Sequence, residues 1–248
     1  MSLVPSGRRA RLRYWARGEQ AVITAELAAL KPAIKWGSFT AGYSTAGMTE
    51  RVVEIPWTLS RYAGEHRVLD VGSSNAVAPY LAYLTGLNIP ELHGVDLSPA
   101  SIDGMVMTQA DVRQMPYEDS SFDLITCVST LEHIGRDNSS YGIASDLETQ
   151  GDVKTLLEFQ RVLKAGGQLL ITVPFGIRRY YDWFKQYDLN AWHELVDQSA
   201  FKTLELAFFA YGTSGWTACD PAKLVAADYR AMGAPGATGL LCAALRRG

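Results

Sequence analysis

The stretch Arg67-Val68-Leu69-Asp70-Val71-Gly72-Ser73-Ser74-Asn75-Ala76 decides the architecture. A short apolar, β-branched run ends in an acid and a glycine. NAVAPYLAYL (75–84) follows, with Val77, Tyr80, Leu81 and Leu84 at helical spacing. This is a strand, a tight turn and a helix. The alternation continues downstream, with strands at ELHGVDLS (91–98), within MTQADVRQM (107–115), at FDLITCVST (122–130) and at QLLITVP (168–174). Between the last two, GDVKTLLEFQRVLK (151–164) is a helix that ends at Lys164 and the Gly166-Gly167 turn. FKTLELAFFAYG (201–212) and TGLLCAALRR (238–247) read as two more strands, paired as a hairpin-like edge. Continuous apolar runs mark strands covered on both faces. The pattern predicts an α/β fold with a doubly wound, mostly parallel, seven-stranded sheet.

Upstream, residues 1–65 read as a helical lobe. EQAVITAELAALK (19–31) is helical and stops before Pro32. GSFTAGYSTAG (37–47) is a loop, and TERVVEIPWTLSRY (49–62) resumes a helix interrupted or started near Pro56. The expected organisation is a lobe or lid at 1–65 and a ligand-binding unit at 66–248, one compact body together.

Composition narrows the function classes. The 248 residues are 48% hydrophobic and 20% charged, enough to bury a core and incompatible with wholesale disorder. A net charge of −3 lends no support to a nucleic-acid partner. Three distant cysteines (Cys127, Cys219, Cys242) form neither a disulfide framework nor a zinc site, which fits a reducing, cytoplasmic setting. No apolar run approaches the roughly 20 residues that span a bilayer.

In such a sheet the ligand lies at the carboxyl ends of the strands. Gly72 permits a tight turn there, but two of the three glycines of the dinucleotide motif GxGxxG are missing. Asp70 would repel a diphosphate and attract an ammonium group. A cationic, phosphate-free nucleoside therefore suits the loop better than NAD. Asp96 closes the second strand, where an acid can accept from both ribose hydroxyls or cap a turn. Asp111 stands 15 residues further on, either as a turn residue or as acceptor for an adenine amino group, with the Val112 N–H beside it.

LDVGSSNAVAPYLA, GVDLSP, QADVRQMPYEDSSFDLITCVSTLEHIG and RVLKAGGQLLITVPFG, in this order and spacing, resemble the class I S-adenosylmethionine-dependent methyltransferases over about residues 66–176. Ser74 and Ala76 stand where that family commonly has glycine. The resemblance implies a Rossmann-like methyltransferase fold and S-adenosylmethionine as cofactor. It implies that Asp70, Gly72, Ser73 and Ser74 hold the methionyl end and Asp96 the ribose, with Leu97 beside the adenine. Asp111 and Val112 would read the adenine edge, and Ser129 would line the methionyl pocket. TERVVEIPW and WFKQYD are similar to segments of bacterial sugar and secondary-metabolite methyltransferases.

On the acceptor side, His133 directly follows the fourth strand and is the first candidate for a general base. Glu132 and His193 are the other catalytic candidates. Each has a bland reading, as a loop-pinning hydrogen bond or an ordinary helix residue. Tyr43, Tyr141, Tyr181 and Trp183 are candidate acceptor walls, with ordinary core as the alternative. Asp137 and Asn138 lack a third oxygen ligand, so no metal site is expected. The expected reaction is O-methylation of a small molecule, a sugar or sugar-bearing metabolite. An N- or C-methyltransferase, or an inactive methyltransferase-like scaffold, is the alternative. Oligomeric state is not legible.

Overall fold

The computed structural model describes residues 6–30, 44–139 and 147–248, with the side chains of the first helix from residue 18 onward. Helices α1 (Ser6–Ala29) and α2 (Arg51–Leu59) precede β1 (Arg67–Val71), α3 (Ala78–Gly86), β2 (Glu91–Asp96), β3 (Val106–Gln109) and β4 (Phe122–Val128). Then come α4 (Gly151–Val162), β5 (Leu163–Pro174), a small ribbon of β6 (Arg179–Tyr180) and β7 (Lys185–Gln186), and α5 (Leu189–Ser199). The chain closes with β8 (Lys202–Gly212), β9 (Gly215–Cys219) and β10 (Gly239–Arg246).

The main sheet runs β3-β2-β1-β4-β5-β10-β8-β9. Its first five strands are parallel and its last three pair antiparallel. It has eight strands rather than the expected seven. The additional one is β9, which returns after the two-residue turn at Thr213-Ser214 and pairs Gly212 with Gly215. The expected pairing of 201–212 with 238–247 holds, as the antiparallel pair of β8 and β10, but the pair is not the edge of the sheet. β10 lies between β5 and β8, and the free edge belongs to β9. Leu240 to Leu245 of β10 are all fully buried, as a strand covered on both faces requires.

One apolar cluster under α4 and α5 contains Phe159, Leu163, Ile171, Trp192 and Leu241. The opposite cluster joins α1, α2 and α3 to the sheet through Ile23, Val52, Ile55, Tyr80 and Leu170. Helix α2 runs through Pro56, where an interruption was expected. Every residue from Val52 to Leu59 is buried, and this packing overrides the hydrogen bond that proline cannot make. The chain runs outward from β1 through β2 to β3, then returns to β4 on the other side of β1. That reversal opens a crevice at the carboxyl ends of β1 and β4, between the Gly72 turn and the segment from Ser129 to His133.

Candidate active site

A cleft of about 1190 Å³, counted to its open mouth, occupies this crevice. Asp70, Gly72, Asp96, Leu97, Asp111, Val112, Ser129 and His133 all line it, so eight of the expected site residues converge. Ser73 and Ser74 sit behind the wall, Glu132 is buried beneath it, and His193 is exposed on α5 away from it. Tyr181 and Trp183 do not line the cleft either. Tyr43 and Tyr141 lie outside the described residues.

Gly72 takes φ +82°, and a Cβ there would fall 2.5 Å from Thr130 Oγ1. The position therefore needs glycine both for its backbone and for the approach of the two loops. Ser73–Asn75 form a 3-10 turn and α3 begins only at Ala78. The helix therefore starts three residues later than NAVAPYLAYL suggests, and its N-terminus does not directly follow the glycine. Asp70 is 2% exposed and accepts from Ser73 Oγ (2.6 Å), Thr126 Oγ1 (2.7 Å) and the Tyr80 hydroxyl. Burial raises its pKa against these hydroxyls. This carboxyl organises the turn, more than it presents a charge to the cleft.

The other two acids differ sharply. Each Asp96 oxygen accepts one backbone N–H, from Ser74 at 3.2 Å and from Ser98 at 3.0 Å. A lone pair on each oxygen thus remains for a diol. Asp111 is gripped by the Arg113 guanidinium at 2.6–3.0 Å on both oxygens and by the Arg113 N–H at 2.9 Å. These hydrogen bonds hold its pKa down and leave the carboxylate little capacity for an adenine amino group. Arg113 thus takes up most of the acceptor capacity on which the expected role of Asp111 depends.

At the far end Arg51 of α2 enters the wall beside Ser129 and His133. It pairs with Glu54, which is fully buried and also accepts from Ser129 Oγ and Thr172 Oγ1, each at 2.7 Å. Ser129 itself has φ +41°, an uncommon conformation for serine, held by its N–H on Thr172 Oγ1 at 3.0 Å. Neither Arg51 nor Glu54 was singled out from the sequence. Arg51 and Glu54 are an i,i+3 pair on α2, but Thr172, the β5 partner that fixes Glu54, lies 118 residues away, where no local spacing signals it.

His133 Nδ1 lies 2.8 Å from the Trp183 carbonyl oxygen. A carbonyl only accepts, so Nδ1 carries the hydrogen and Nε2 is the basic nitrogen of the neutral ring. Burial, with the Arg51 charge adding to it, depresses the imidazole pKa from 6.5 to about 4. The Trp183 ring stacks on His133 at 5.2 Å, and Tyr181 stacks on Phe184 at 4.3 Å with Tyr229 edge-on. These aromatics back the imidazole and do not wall the cleft. Glu132 Oε1 is 3.8 Å from His133 Nε2, and burial pushes this carboxyl well above the usual range, toward its neutral form.

Residues 69–171 match the family model of the methyltransferase domain. A protein of Encephalitozoon cuniculi (strain GB-M1) named as a methyltransferase is 27% identical over 127 residues, 51% of each chain. The chain thus matches about half the length of this curated relative. Among solved structures, the cyclase SpnF superposes with a TM-score of 0.56 at 15% identity, covering 94% of both chains. A protein of Galdieria sulphuraria named as a sarcosine dimethylglycine methyltransferase gives 0.52 at 16% identity, over 78% of this chain and 85% of that one. The 1,6-didemethyltoxoflavin-N1-methyltransferase of Burkholderia thailandensis, solved with S-adenosylhomocysteine, gives 0.50 at 12% identity, over 100% and 92%. These likenesses show the fold.

The cleft residues fit a nucleoside sulfonium. Asp96 keeps lone pairs for a diol, Leu97, Val112 and Ile134 offer apolar contact, and no lining residue crowds the Gly72 turn apart from Thr130. Together with the domain match, this shows a methyltransferase domain over residues 69–171, with a cleft whose residues fit S-adenosylmethionine.

Proposed function

We propose that this chain methylates an oxygen of a small molecule, a sugar or sugar-bearing metabolite, with His133 as the general base. The observation that carries the reading is a neutral imidazole on the cleft wall, with Nδ1–H pinned to a carbonyl and Nε2 directed as the basic nitrogen. The bound cofactor supplies an electrophilic methyl group on a positively charged sulfur. Asp96 accepts from the ribose hydroxyls, Leu97 and Val112 flank the adenine, and the Gly72 turn admits the methionyl end. His133 Nε2 takes the hydroxyl proton as the acceptor oxygen attacks. Glu132, held toward its neutral acid form, is a positioning residue for that ring. Arg51, Thr130 and Asn138 give the acceptor end a polar lining, next to Ser129 on the methionyl side. That lining suits a polyhydroxylated molecule better than a flat apolar one.

The test is transfer of isotope-labelled methyl from S-adenosylmethionine to a panel of sugars, sugar nucleotides, phenols and amines. Alkali-stable ether products on the sugars support the reading, and methylation confined to the amines overturns it. Asp96→Ala is expected to weaken S-adenosylhomocysteine binding by about 10- to 100-fold, since it removes charge-assisted bonds of roughly 1.5–3 kcal/mol. Calorimetric titration checks this, and an unchanged Kd removes Asp96 from the cofactor site.

A further inference from the structure

The chain grips carboxylates in three places with one device, the Nε–Nη2 edge of an arginine. Arg161 holds Glu158 through Nε at 2.8 Å and Nη2 at 2.7 Å. Arg61 holds Glu205 through Nε at 3.0 Å and Nη2 at 2.9 Å. Arg113 holds Asp111 through the same two nitrogens. Arg51 differs. Its Nη1 is tied to Glu54, and its Nε and Nη2 make no hydrogen bond or ion pair among the described residues. This edge belongs to a side chain one-third exposed in the cleft wall. Glu54 is fixed in turn by Ser129 and Thr172, so the guanidinium is anchored from behind. An anchored guanidinium with a vacant fork matches an oxyanion in two parallel hydrogen bonds.

The location indicates whose oxyanion it is. The positive charge of Arg51 is felt at His133, at Glu132 and at Tyr229, the groups gathered past the end of β4. The groups expected at the adenosine end, Asp96, Leu97 and Val112, follow β2 and β3 instead.

We infer that Arg51 selects the acceptor, its Nε–Nη2 edge binding a carboxylate or phosphate group that sets the reactive oxygen before His133. This rests on the methyltransferase reading above and narrows its substrate class to anionic sugars or sugar-bearing metabolites. Positioning by a fixed fork is also a sizeable part of catalysis, because it converts encounter into a near-attack arrangement.

The test is calorimetric titration of the full chain, saturated with S-adenosylhomocysteine, with D-glucuronate, glucose 1-phosphate and glucose. At least one anionic sugar is expected to bind tenfold or more tightly than glucose, and which of the two does so separates carboxylate from phosphate. Arg51→Lys keeps the charge and loses the fork, and is expected to abolish most of that preference. Equal binding of the three sugars, or none, overturns the inference while leaving the methyltransferase reading intact. Failure of S-adenosylhomocysteine to bind the unmutated chain overturns both. A third result assigns the fork to the cofactor and also overturns the inference: tenfold weaker S-adenosylhomocysteine binding in Arg51→Lys with methylthioadenosine, which lacks the carboxylate, unaffected. If Arg51→Lys does not fold, the comparison of sugars on the unmutated chain decides alone.

Discussion

Replacing His133 with alanine is expected to slow methyl transfer by about 10²-fold at neutral pH, the lower end of the range for general-base catalysis. The lower end follows from the burial of the ring. An imidazole with a pKa of about 4 is in its basic form throughout the neutral range, but it pulls less strongly on a proton than one near 7. The same value sets the pH profile. The acid limb of kcat/KM in the free enzyme should fall near pH 4 instead of 6.5. Stability follows with a definite sign. The folded pKa lies below the unfolded one, so the contribution is intact above pH 6.5 and is lost as pH falls from 6.5 through about 4. The loss is about 3 kcal/mol at roughly 1.4 kcal/mol per pKa unit. Acid titration of urea stability in the native chain and in His133→Gln would show this dependence reduced in the variant. A near-native rate for His133→Ala would instead make His133 a structural residue and favour an amine acceptor, which needs less help from a base.

Glu54→Ala should cost about 3–5 kcal/mol of folding stability, because breaking a buried ion pair strands its partner. Three groups lose their acceptor at once: the Arg51 guanidinium, the Ser129 hydroxyl and the Thr172 hydroxyl. Arg51 retains some contact with solvent, which pulls the expected cost toward the lower end. Glu54→Gln keeps the side-chain volume and one carbonyl acceptor, so it should lose less. Urea unfolding of the two variants checks the order. A loss under 1 kcal/mol in Glu54→Ala would mean that α2 is held to the sheet by apolar packing alone. The alanine variant should also impair turnover, since Ser129 holds its left-handed backbone beside this carboxylate.

The parallel half of the sheet was legible because its strands read as short runs between helices and turns, with an acid at the cleft end of β1 and of β2 and a third just after β3. Asp70, Asp96 and Asp111 were found that way, and all three line the cleft. Their burdens were not legible. Whether an acid has lone pairs left depends on its neighbours. Arg113 stands only two residues from Asp111, yet spacing alone does not show that its guanidinium takes both carboxylate oxygens. The place of β10 inside the sheet was half visible, since Leu240 to Leu245 carry no polar residue for a solvent face. β9 was missed because GWTAC is short and its pairing is set by the turn at Thr213-Ser214. The aromatics after β5 were noticed for the right neighbourhood and the wrong surface. Tyr181 and Trp183 pack with Phe184 and Tyr229 behind His133, an arrangement that requires residues from two distant segments.

The central claim is that the cleft at the ends of β1 and β4 holds S-adenosylmethionine, even with Ser74 and Ala76 where glycines are common. Calorimetric titration with S-adenosylhomocysteine, with NAD as the control, tests it most directly. Micromolar binding of S-adenosylhomocysteine and none of NAD is the predicted result. Absence of S-adenosylhomocysteine binding to the folded chain would contradict the account and leave a methyltransferase-like domain that has lost its cofactor.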